Sequence, residues 1–458
     1  MNSFIPKTDS YKLSHYKQYP PGTTGVFSFF ESRGGRFPAT TFFGLQYILL
    51  RHFCGVVVTE SDIVKWRNLF ALHFGDPSLF NDAGWRHILE KHGGKLPLRI
   101  KAIPEGTTVP VSNALMTIEA TDPKSYWLTN YAETLLSQIW YPMTIATNSR
   151  AMRRMILQNL EKTGDPSGID FKLHDFGYRG STSEESAAIG GAAHLVSFMG
   201  TDNLAAIVLA NDYYGAPMAG FSIPAAEHST ITSWGRENEA AAYLNMLEQY
   251  PTGLVAVVSD SYDIFEACRK IWGEDLKDKV LARDGVLVIR PDSGDPRETL
   301  PKILNILGEA FGSTLNAKGF RVLNPKVRVI QGDGIDYDMT ADILNVLEAC
   351  DWSGDNLAFG SGGGLLQKFD RDTQRCAIKC SAVEIDGVWH EDVCKDPVTD
   401  SGKRSKPGRL ALIRDDSGFT TVKESGAGGN NLLQTVFENG ELKVFQNFAD
   451  IRMRALTD

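Results

Sequence analysis

Four short apolar runs in the second half of the chain each stop at Gly, Asp and Ser residues. The runs are rich in Val, Ile and Leu, and helix-like segments follow the first three. This pattern predicts buried parallel strands whose carboxyl ends meet at one edge of a sheet. Small residues there let a ligand approach the backbone, and Asp and Ser supply hydrogen-bond acceptors. We therefore expect the functional site at the ends of segments 254–260, 286–294, 327–334 and 357–364.

More elements of the same kind lie upstream. Residues 171–177 read as a strand that ends at Asp175. A helix over 184–198 is predicted to begin after Ser183, a favourable capping residue, with acids in its first turn. The strand-like segment 221–226 leads through Glu227 into a helix that we expect to run through Leu247. The centres of the four apolar runs, near 257, 288, 329 and 358, have the spacing of strand–helix units.

The pattern changes on both sides of this region. Residues 96–120 alternate between apolar and polar positions in short segments, as antiparallel strands do. Residues 376–385, 409–414 and 419–423 also have β character. Asn439-Gly440 predicts a hairpin turn, and residues 59–92 and 126–160 are mostly helical in pattern. We predict an α/β protein with an irregular (β/α) barrel-like catalytic domain, residues 161–374. A discontinuous β-rich (α+β) domain would be formed by residues 1–160 and 375–458.

Composition narrows the class of protein. The 458 residues are 42% apolar and 22% charged, as in ordinary globular proteins. A net charge of −9 argues against nucleic acid or an anionic membrane as a partner. No apolar run has the length of a membrane span, and the first residues lack a signal core. The six scattered cysteines contain no Cys-x-x-Cys pair, which predicts reduced thiols and a cytoplasmic location.

Individual residues allow two interpretations each. The run Gly360-Ser-Gly-Gly-Gly364 can form an anion-binding nest or a flexible loop. Asp292 and Asp333 can hold ribose hydroxyls or the water shell of Mg²⁺, or they can cap the following helices. His228 can act as an acid, a base or a phosphoryl acceptor with a neighbouring carboxylate fixing its tautomer, or it can be an ordinary hydrogen-bonded residue.

Several motifs, in conserved order along nearly the whole chain, resemble those of the nicotinamide phosphoribosyltransferase family. They are Asp9-Ser-Tyr-Lys12, His174-Asp-Phe-Gly-Tyr-Arg-Gly180, Gly200-Thr-Asp202, Pro224-Ala-Ala-Glu-His-Ser-Thr230, Ser259-Asp-Ser-Tyr-Asp263, Ile289-Arg-Pro-Asp-Ser-Gly294, Gln331-Gly-Asp-Gly334 and Gly360-Ser-Gly-Gly-Gly-Leu-Leu-Gln-Lys368. The resemblance implies the type II phosphoribosyltransferase fold. It also implies synthesis of nicotinamide mononucleotide from nicotinamide and phosphoribosyl pyrophosphate in NAD salvage, with Mg²⁺, stimulation by ATP, and a homodimer with shared active sites.

The resemblance also gives roles to matching residues. His228 would be the histidine that ATP phosphorylates. Phe176 and, from the other subunit, Tyr11 would stack on the two faces of the pyridine ring. Asp202 would accept hydrogen bonds from the carboxamide N–H₂ group, and Arg290 would line the same pocket.

The other matching residues would contact the sugar and the phosphates. The ribose would be held by Asp292, Gly332 and Asp333, and the 5′-phosphate by Arg179, Gly362 and Gly363. Asp263 would lie near the ribose and the metal-bound pyrophosphate, so that Mg²⁺ has no direct protein ligand. With His228 and Asp292 it completes the predicted catalytic set. Positive charge for the pyrophosphate and the ATP phosphates would come, in part from the second subunit, from Arg371, Lys379, Lys395 and Lys403.

Three alternatives remain at this point. A nicotinate phosphoribosyltransferase would share the fold, but the carboxylate of Asp202 should repel a nicotinate carboxylate. A sugar-phosphate aldolase or isomerase on a TIM barrel would need a Schiff-base Lys or a metal-ligand set at a strand end, and the four strand ends supply no such Lys. A binding protein that has lost its activity would not need every matched chemical position.

Overall fold

The computed structural model describes residues 3–399 and 405–457 and divides into two compact units. The first, here the β-rich unit, comprises Met1–Thr147, Asp212–Ala216 and Phe369–Asp458. The second, here the barrel unit, comprises Asn148–Asn211 and Pro217–Lys368. The sequence placed the corresponding boundaries after residues 160 and 374, and it gave no sign that 212–216 belong with the β-rich unit.

A six-stranded parallel sheet forms the centre of the barrel unit. Its strands are β1 (Leu173–Asp175), β2 (Gly200–Thr201), β3 (Thr252–Val258), β4 (Asp284–Arg290), β5 (Val327–Gln331) and β6 (Leu357–Ser361). They lie in the order β2-β1-β6-β5-β4-β3, and each neighbouring pair is parallel. Strands β3 to β6 are the four predicted apolar runs, which confirms that these runs end at one edge of a common sheet.

The two edge strands of this sheet are joined by the segment 221–225. Phe221 forms a parallel bridge with Gly200 of β2, and Ala225 forms one with Ala256 of β3. The N–H of Thr201 donates to the Phe221 carbonyl at 2.9 Å, and the N–H of Ala256 donates to a carbonyl of the segment at 2.9 Å. The segment contains Pro224, which lacks an N–H and so cannot continue a regular ladder. The sheet therefore closes into an irregular barrel, as predicted.

Helices cover the outside of the barrel. They are Glu184–Leu195, Leu204–Tyr214, His228–Thr232, Glu239–Gln249, Ile264–Glu266 with the π-helix Ala267–Asp275, Lys277–Ala282, Pro296–Phe311, Tyr337–Ala349 and Gly363–Leu366. The single helix predicted from Glu227 to Leu247 is wrong. It is interrupted at Gly235, whose φ of +82° lies outside the helical region and ends the first helix.

Large side chains fill the space between these helices and the sheet. Helix Pro296–Phe311 buries Leu300, Ile303, Leu304 and Leu307, the spacing of one helical face. Each buried Leu or Ile side chain contributes about 1.5–3 kcal/mol relative to exposure. This packing fixes the strand ends and hence the loops that follow them.

The β-rich unit is built on a seven-stranded antiparallel sheet. In spatial order its strands are Val388–His390, Cys376–Ile385, Thr23–Ser32, Ala114–Ala120, Leu98–Ala102, Gln434–Glu438 and Glu441–Leu442. Two smaller pairs are Ala39–Thr41 with Thr108–Pro110 and Leu410–Asp415 with Gly418–Lys423. Asn439 and Gly440 both have positive φ, at 51° and 82°, which confirms the predicted hairpin turn.

The remaining α-helices of the described chain begin in the β-rich part. They are Leu45–His52, Glu60–Phe74, Asp82–His92, Leu128–Tyr131, Glu133–Leu136, Trp140–Thr163 and Phe448–Thr457. The first unit boundary falls inside Trp140–Thr163. Within residues 3–399 and 405–457, no helix combines the length and the apolar character that crossing a bilayer would require.

Candidate active site

A cleft of about 1010 Å³ opens at the carboxyl ends of the barrel strands. It is lined by side chains that follow β1, β2, β4, β5 and β6, together with those at the start of helix His228–Thr232. Ten residues that the sequence predicted for the site lie on its wall: Phe176, Arg179, Asp202, His228, Arg290, Asp292, Gly332, Asp333, Gly362 and Gly363. Residues separated by almost 190 positions in the chain therefore meet in one place.

Three of the strand ends carry two aspartates three residues apart. The pairs are Asp260 and Asp263 after β3, Asp292 and Asp295 after β4, and Asp333 and Asp336 after β5. In each pair the second Asp caps the next helix by accepting backbone N–H groups of its first turn at 2.9–3.1 Å. An Asp at this position satisfies donors that the helix leaves open.

The first Asp of each pair is thereby free of the capping role. Asp292 and Asp333 line the cleft and do not cap the following helices. Asp295 and Asp336 cap those helices instead. Asp263, predicted to lie near the pyrophosphate, is the cap of helix Ile264–Glu266 and does not line the cleft. Asp260, for which we predicted no role, is the acid of this pair that contacts a site residue.

His228 is held by Asp260. Its Nε2 lies 3.1 Å from Asp260 Oδ1, and the other oxygen of Asp260 accepts the N–H of Asp292 at 3.0 Å. Because a carboxylate only accepts, the proton of the neutral imidazole is on Nε2 and the lone pair is on Nδ1. Nδ1 lies 4.0 Å from Asp292 Oδ2. The adjacent acid, Glu227, instead accepts a hydrogen bond from Ser229.

The environment of Asp292 opposes its ionisation. Partial burial raises the pKa of this carboxyl group above its usual range. The nearby charges of Asp260 and Asp333 raise the pKa further, whereas Arg290 and His228 oppose the shift. Acids crowded at one edge of a cleft become easier to ionise when a cation or a hydroxyl donor binds between them.

The Phe176 ring packs closely against two glycines, Gly360 and Gly332. A Cβ at Gly360 would lie 2.0 Å from Cε2 of the Phe176 ring, and one at Gly332 would lie 3.5 Å from the same atom. The N–H of Phe176 donates to the carbonyl of Ser361 at 3.0 Å. Only glycine at 360 leaves room for the ring. The first glycine of the run thus serves the aromatic side chain rather than an anion.

The rest of the glycine run forms the start of a short helix. The helix Gly363–Leu366 begins after Gly362. Just beyond it, the side-chain Nε2 of Gln367 donates to the Gly177 carbonyl at 3.0 Å and to Ser181 Oγ at 3.1 Å. These bonds tie the loop that carries Arg179 to the glycine turn. Open backbone N–H groups beside an exposed guanidinium form a natural anion-binding surface.

A buried acid supports the aromatic side of the cleft. Asp175 accepts the N–H of Gly177 at 2.7 Å and Nδ2 of Asn203 at 2.9 Å, so it connects the two loops that carry Phe176 and Asp202. Burial is the main reason why the pKa of Asp175 is raised to about 6, against the two hydrogen bonds. The sequence identified Asp175 as a strand end without assigning this supporting role.

Two polar side chains at the strand ends are left with open hydrogen-bonding groups. Arg290 Nε and Gln331 Oε1 are buried and have no hydrogen-bond partner within the part of the chain that the structure describes. Asp202 is exposed and accepts from Ser222 Oγ at 2.5 Å, which leaves its second oxygen available. Arg290 and Asp202 both line the cleft, so their open groups are candidate contacts for a molecule bound there.

The other predicted residues belong to the β-rich unit. Tyr11 lies in the 3₁₀-helix Ser10–Lys17 with 59% of its surface exposed. The pKa of Lys379 is lowered, chiefly by burial and also by the charges of Arg33, Lys395 and Arg371, whereas Glu133 opposes the shift. Lys379, Arg371 and Lys395 are here called the cationic cluster. Lys403 lies outside the described residues.

The cleft itself has more acids than bases. Five carboxylates line it, whereas three Lys and Arg side chains do so. This excess of negative charge repels a polyphosphate unless cations accompany it.

Sequence comparisons identify the family. The nicotinate phosphoribosyltransferase (NAPRTase) family matches residues 171–441, and the N-terminal domain of nicotinamide phosphoribosyltransferase matches residues 3–100. A nicotinamide phosphoribosyltransferase of Xanthomonas campestris is 52% identical over 96% of this chain and 96% of its own length. Another from Acinetobacter baylyi is 36% identical over 97% of this chain and 95% of its own.

Solved structures agree on the fold. The nicotinate-nucleotide pyrophosphorylase of Pyrococcus furiosus matches with a TM-score of 0.60 at 17% identity, over 98% of this chain and 93% of that one. Human nicotinic acid phosphoribosyltransferase matches with a TM-score of 0.56 at 15% identity, over 98% and 93%. The predicted type II phosphoribosyltransferase fold is confirmed. The chain is therefore a member of the NAPRTase family of enzymes, and its relatives place it among that family's nicotinamide phosphoribosyltransferases.

Proposed function

We propose that this enzyme transfers the 5-phosphoribosyl group from phosphoribosyl pyrophosphate to nicotinamide, giving nicotinamide mononucleotide and pyrophosphate in NAD salvage. The observation that carries this choice of base is Asp202. Its side chain lines the same cleft as the Phe176 ring, and one of its oxygens is not engaged by Ser222. A carboxylate there accepts the N–H₂ group of an amide and repels the carboxylate of nicotinate.

The other wall residues suit the remaining parts of the substrates. Phe176 offers a flat face to the pyridine ring, and the unpaired Nε of Arg290 can donate to the carboxamide oxygen. We assign the ribose hydroxyls to Asp292, Asp333 and the backbone of Gly332, because all three residues line the cleft.

The 5′-phosphate fits the glycine turn. Gly362 and Gly363 offer backbone N–H groups at the start of a helix, and Arg179 provides a full positive charge on the same wall. Neutral donors and one guanidinium together compensate a phosphate dianion without a bound metal.

The chemistry needs little acid–base catalysis. Departure of pyrophosphate from the anomeric carbon builds positive charge on the ribose ring, and the neutral pyridine nitrogen adds to that carbon. The wall residues hold the ring nitrogen in line with the carbon, while the carboxylates of Asp292 and Asp333 stabilise the developing cation. Mg²⁺ held by the pyrophosphate would neutralise the leaving group, and the acidic cleft suits such a hydrated cation. The predicted place of Asp263 near that pyrophosphate stays a prediction.

ATP stimulation is proposed to act through His228. With the proton of Nε2 bonded to Asp260, the lone pair of Nδ1 can attack the γ-phosphorus of ATP. The phosphorus–oxygen bond to ADP breaks as the bond to Nδ1 forms, and Asp260 stabilises the cationic ring. The phosphohistidine would then favour productive binding of the pyrophosphate substrate.

Further charge and the second stacking face are proposed to come from a homodimer. The cluster of Arg371, Lys379 and Lys395 offers further cations for the polyphosphate, and Tyr11 offers an aromatic side chain that is 59% exposed. Lys403 is proposed for the same polyphosphate role. We also propose a cytoplasmic location, which the six unpaired cysteines support.

One assay tests the proposal. Nicotinamide, nicotinate and quinolinate are offered separately with phosphoribosyl pyrophosphate and Mg²⁺, with and without ATP, and the mononucleotide formed is measured. We expect product from nicotinamide and more of it with ATP. Preference for nicotinate would establish the rival activity, and absence of product from all three bases would favour a binding protein.

Two variants sharpen this assay. Asp202→Asn should lower the ratio of kcat/KM for nicotinamide to that for nicotinate by about tenfold or more, since it removes a charge-assisted hydrogen bond and a repulsion. An unchanged ratio would refute the role of Asp202. His228→Ala should abolish ATP hydrolysis and ATP stimulation while a weaker basal transfer persists, and surviving stimulation would remove the phosphohistidine step.

A further inference from the structure

Three side chains suited to a metal ion meet in the β-rich unit. His87 and His92 lie on helix Asp82–His92, and both Nε2 atoms lie 2.6 Å from the same oxygen, Oδ2, of Asp122. Their ligand atoms all lie within 4.8 Å of one another. Across residues 3–399 and 405–457, this is the one group of three such side chains close enough to share an ion. None of the three lines the active-site cleft.

The backbone around the cluster is well defined. Helix Asp82–His92 ends at Gly93, whose φ of +59° turns the chain away directly after His92. Oδ1 of Asp122 accepts the N–H of Lys124 at 2.8 Å, which orients the carboxylate and leaves Oδ2 facing the two imidazoles. A hydrogen bond of this kind from the outer shell is a usual feature of metal-binding carboxylates.

A pair of aromatic rings holds the two segments together. Trp85, on the helix, and Trp127, shortly after Asp122, pack edge to face with ring centroids 4.8 Å apart. Trp85 is 1% exposed and Trp127 is 5% exposed. The histidines and the carboxylate are therefore presented to one another by a packed core rather than by mobile loops.

The cluster is partly buried but accessible from one side. The side chains of His87, His92 and Asp122 are 18%, 25% and 17% exposed. The site thus offers one carboxylate oxygen and two imidazole nitrogens within 4.8 Å of one another.

We propose that His87, His92 and Asp122 bind one divalent transition-metal ion of the zinc type through the two Nε2 atoms and Oδ2. Two imidazole nitrogens and one carboxylate oxygen match the donors that zinc prefers, with bonds of about 2.0–2.2 Å. Each neutral imidazole carries its proton on Nδ1 in the bound form, and water completes the coordination. The ion would link the end of the helix to the turn at Asp122 and stabilise the folded chain.

Metal binding is tested on the full-length protein after treatment with EDTA. Equilibrium dialysis against Zn²⁺, with the bound metal quantified per chain, should give one ion that the double variant His87→Gln/His92→Gln binds about tenfold or more weakly. Two matched controls, His390→Gln on an exposed strand and His228→Gln in the active site, should keep this ion. Co²⁺ at the same site should show the visible absorption of a four-coordinate ion.

Thermal unfolding provides an independent test of metal binding. Zn²⁺ should raise the Tm of the wild-type protein and have little effect on Asp122→Asn, which keeps a capping side chain at position 122. Equal Zn²⁺ binding by the wild type and the double variant would overturn the proposal, as would loss of the ion only in His228→Gln. In either case the cluster would be a hydrogen-bonded connection between helix and turn. Because catalysis is not measured, failure here leaves the proposed transferase activity untouched.

Discussion

At the scale of single residues, the division of labour within each aspartate pair can be tested directly. Asp260→Asn removes the charge that faces His228 Nε2, whereas Asp263→Asn replaces one capping side chain by another. A hydrogen bond to a charged group contributes about 1.5–3 kcal/mol, so ATP stimulation should fall about 10- to 100-fold in Asp260→Asn. The measurement is the rate of mononucleotide formation with and without ATP.

Asp263→Asn is the matched control for this prediction. If the structure assigns the two acids correctly, this variant keeps both its ATP stimulation and its stability. The opposite result, a loss in Asp263→Asn alone, would support the role near the pyrophosphate that the family resemblance implies for Asp263.

A second residue-scale prediction concerns the buried Asp175. Its folded pKa of about 6 lies above the ordinary value of 3.8, so the folded chain holds this proton more tightly than the unfolded chain. The stability that the proton confers is complete below pH 3.8 and is lost as the pH rises through about 6. Between pH 4.5 and 7.5 the stability of the wild type should therefore fall by about 2 kcal/mol relative to Asp175→Asn.

Urea denaturation of both proteins at several pH values measures this difference. Asp416→Asn, a change of an exposed acid, is the control and should track the wild type at every pH. A constant difference between the wild type and Asp175→Asn would mean that Asp175 does not take up a proton on folding.

At the scale of elements, the loop after β1 and the end of β6 must fit closely. Gly360→Ala places a methyl group where the Phe176 ring lies, 2.0 Å from Cε2. The ring has to move, and an aromatic contact with the base of about 0.5–1.5 kcal/mol is lost, so the KM for nicotinamide should rise about two- to tenfold. Gly426→Ala, where nothing lies within 4 Å, should leave KM unchanged. An unchanged KM in Gly360→Ala would show that the ring position does not matter for the base.

The elements that could be predicted from the sequence are those whose burial produces a recognisable run of apolar residues. Strands β3 to β6 are continuous apolar runs because both faces of a parallel barrel sheet are covered. The closing segment 221–225 was only partly recognisable, because it pairs through two isolated bridges around a proline. The helix break at Gly235 was missed, because one glycine with positive φ does not interrupt the apolar periodicity on either side.

The same distinction holds for the site. Family motifs predicted ten residues that line the cleft, because each follows a strand end in its own motif. They did not predict that Asp260 holds His228, since these residues are 32 positions apart and meet only through tertiary packing. The supporting role of Asp175 was invisible for a similar reason. Its partner Asn203 comes from the next strand end, and nothing in the sequence indicates that contact.

At the scale of the whole molecule, charge and assembly are connected. The chain carries a net charge of −9, and carboxylates outnumber Lys and Arg on the wall of the cleft. A polyphosphate substrate therefore depends on cations brought from elsewhere. The proposed homodimer meets this need, since a subunit can lend its cationic cluster and Tyr11 to the site of its partner.

Mixing two variants with weakened base binding tests this sharing. Tyr11→Ala and Phe176→Ala should each weaken base binding in a homodimer. If Tyr11 and Phe176 of one site come from different subunits, a mixed dimer has one site with both defects and one intact site. With random exchange about half of the dimers are mixed, so activity at low nicotinamide should recover to about a quarter of the wild-type value.

Phe176→Ala mixed with Arg179→Ala is the control for this experiment. Both residues line the cleft of the same barrel unit, so every site stays defective and no recovery is expected. No recovery with the Tyr11 pair, after subunit exchange has been verified, would place both stacking faces within one chain. Recovery in the control would show that the assay does not report sharing of Tyr11.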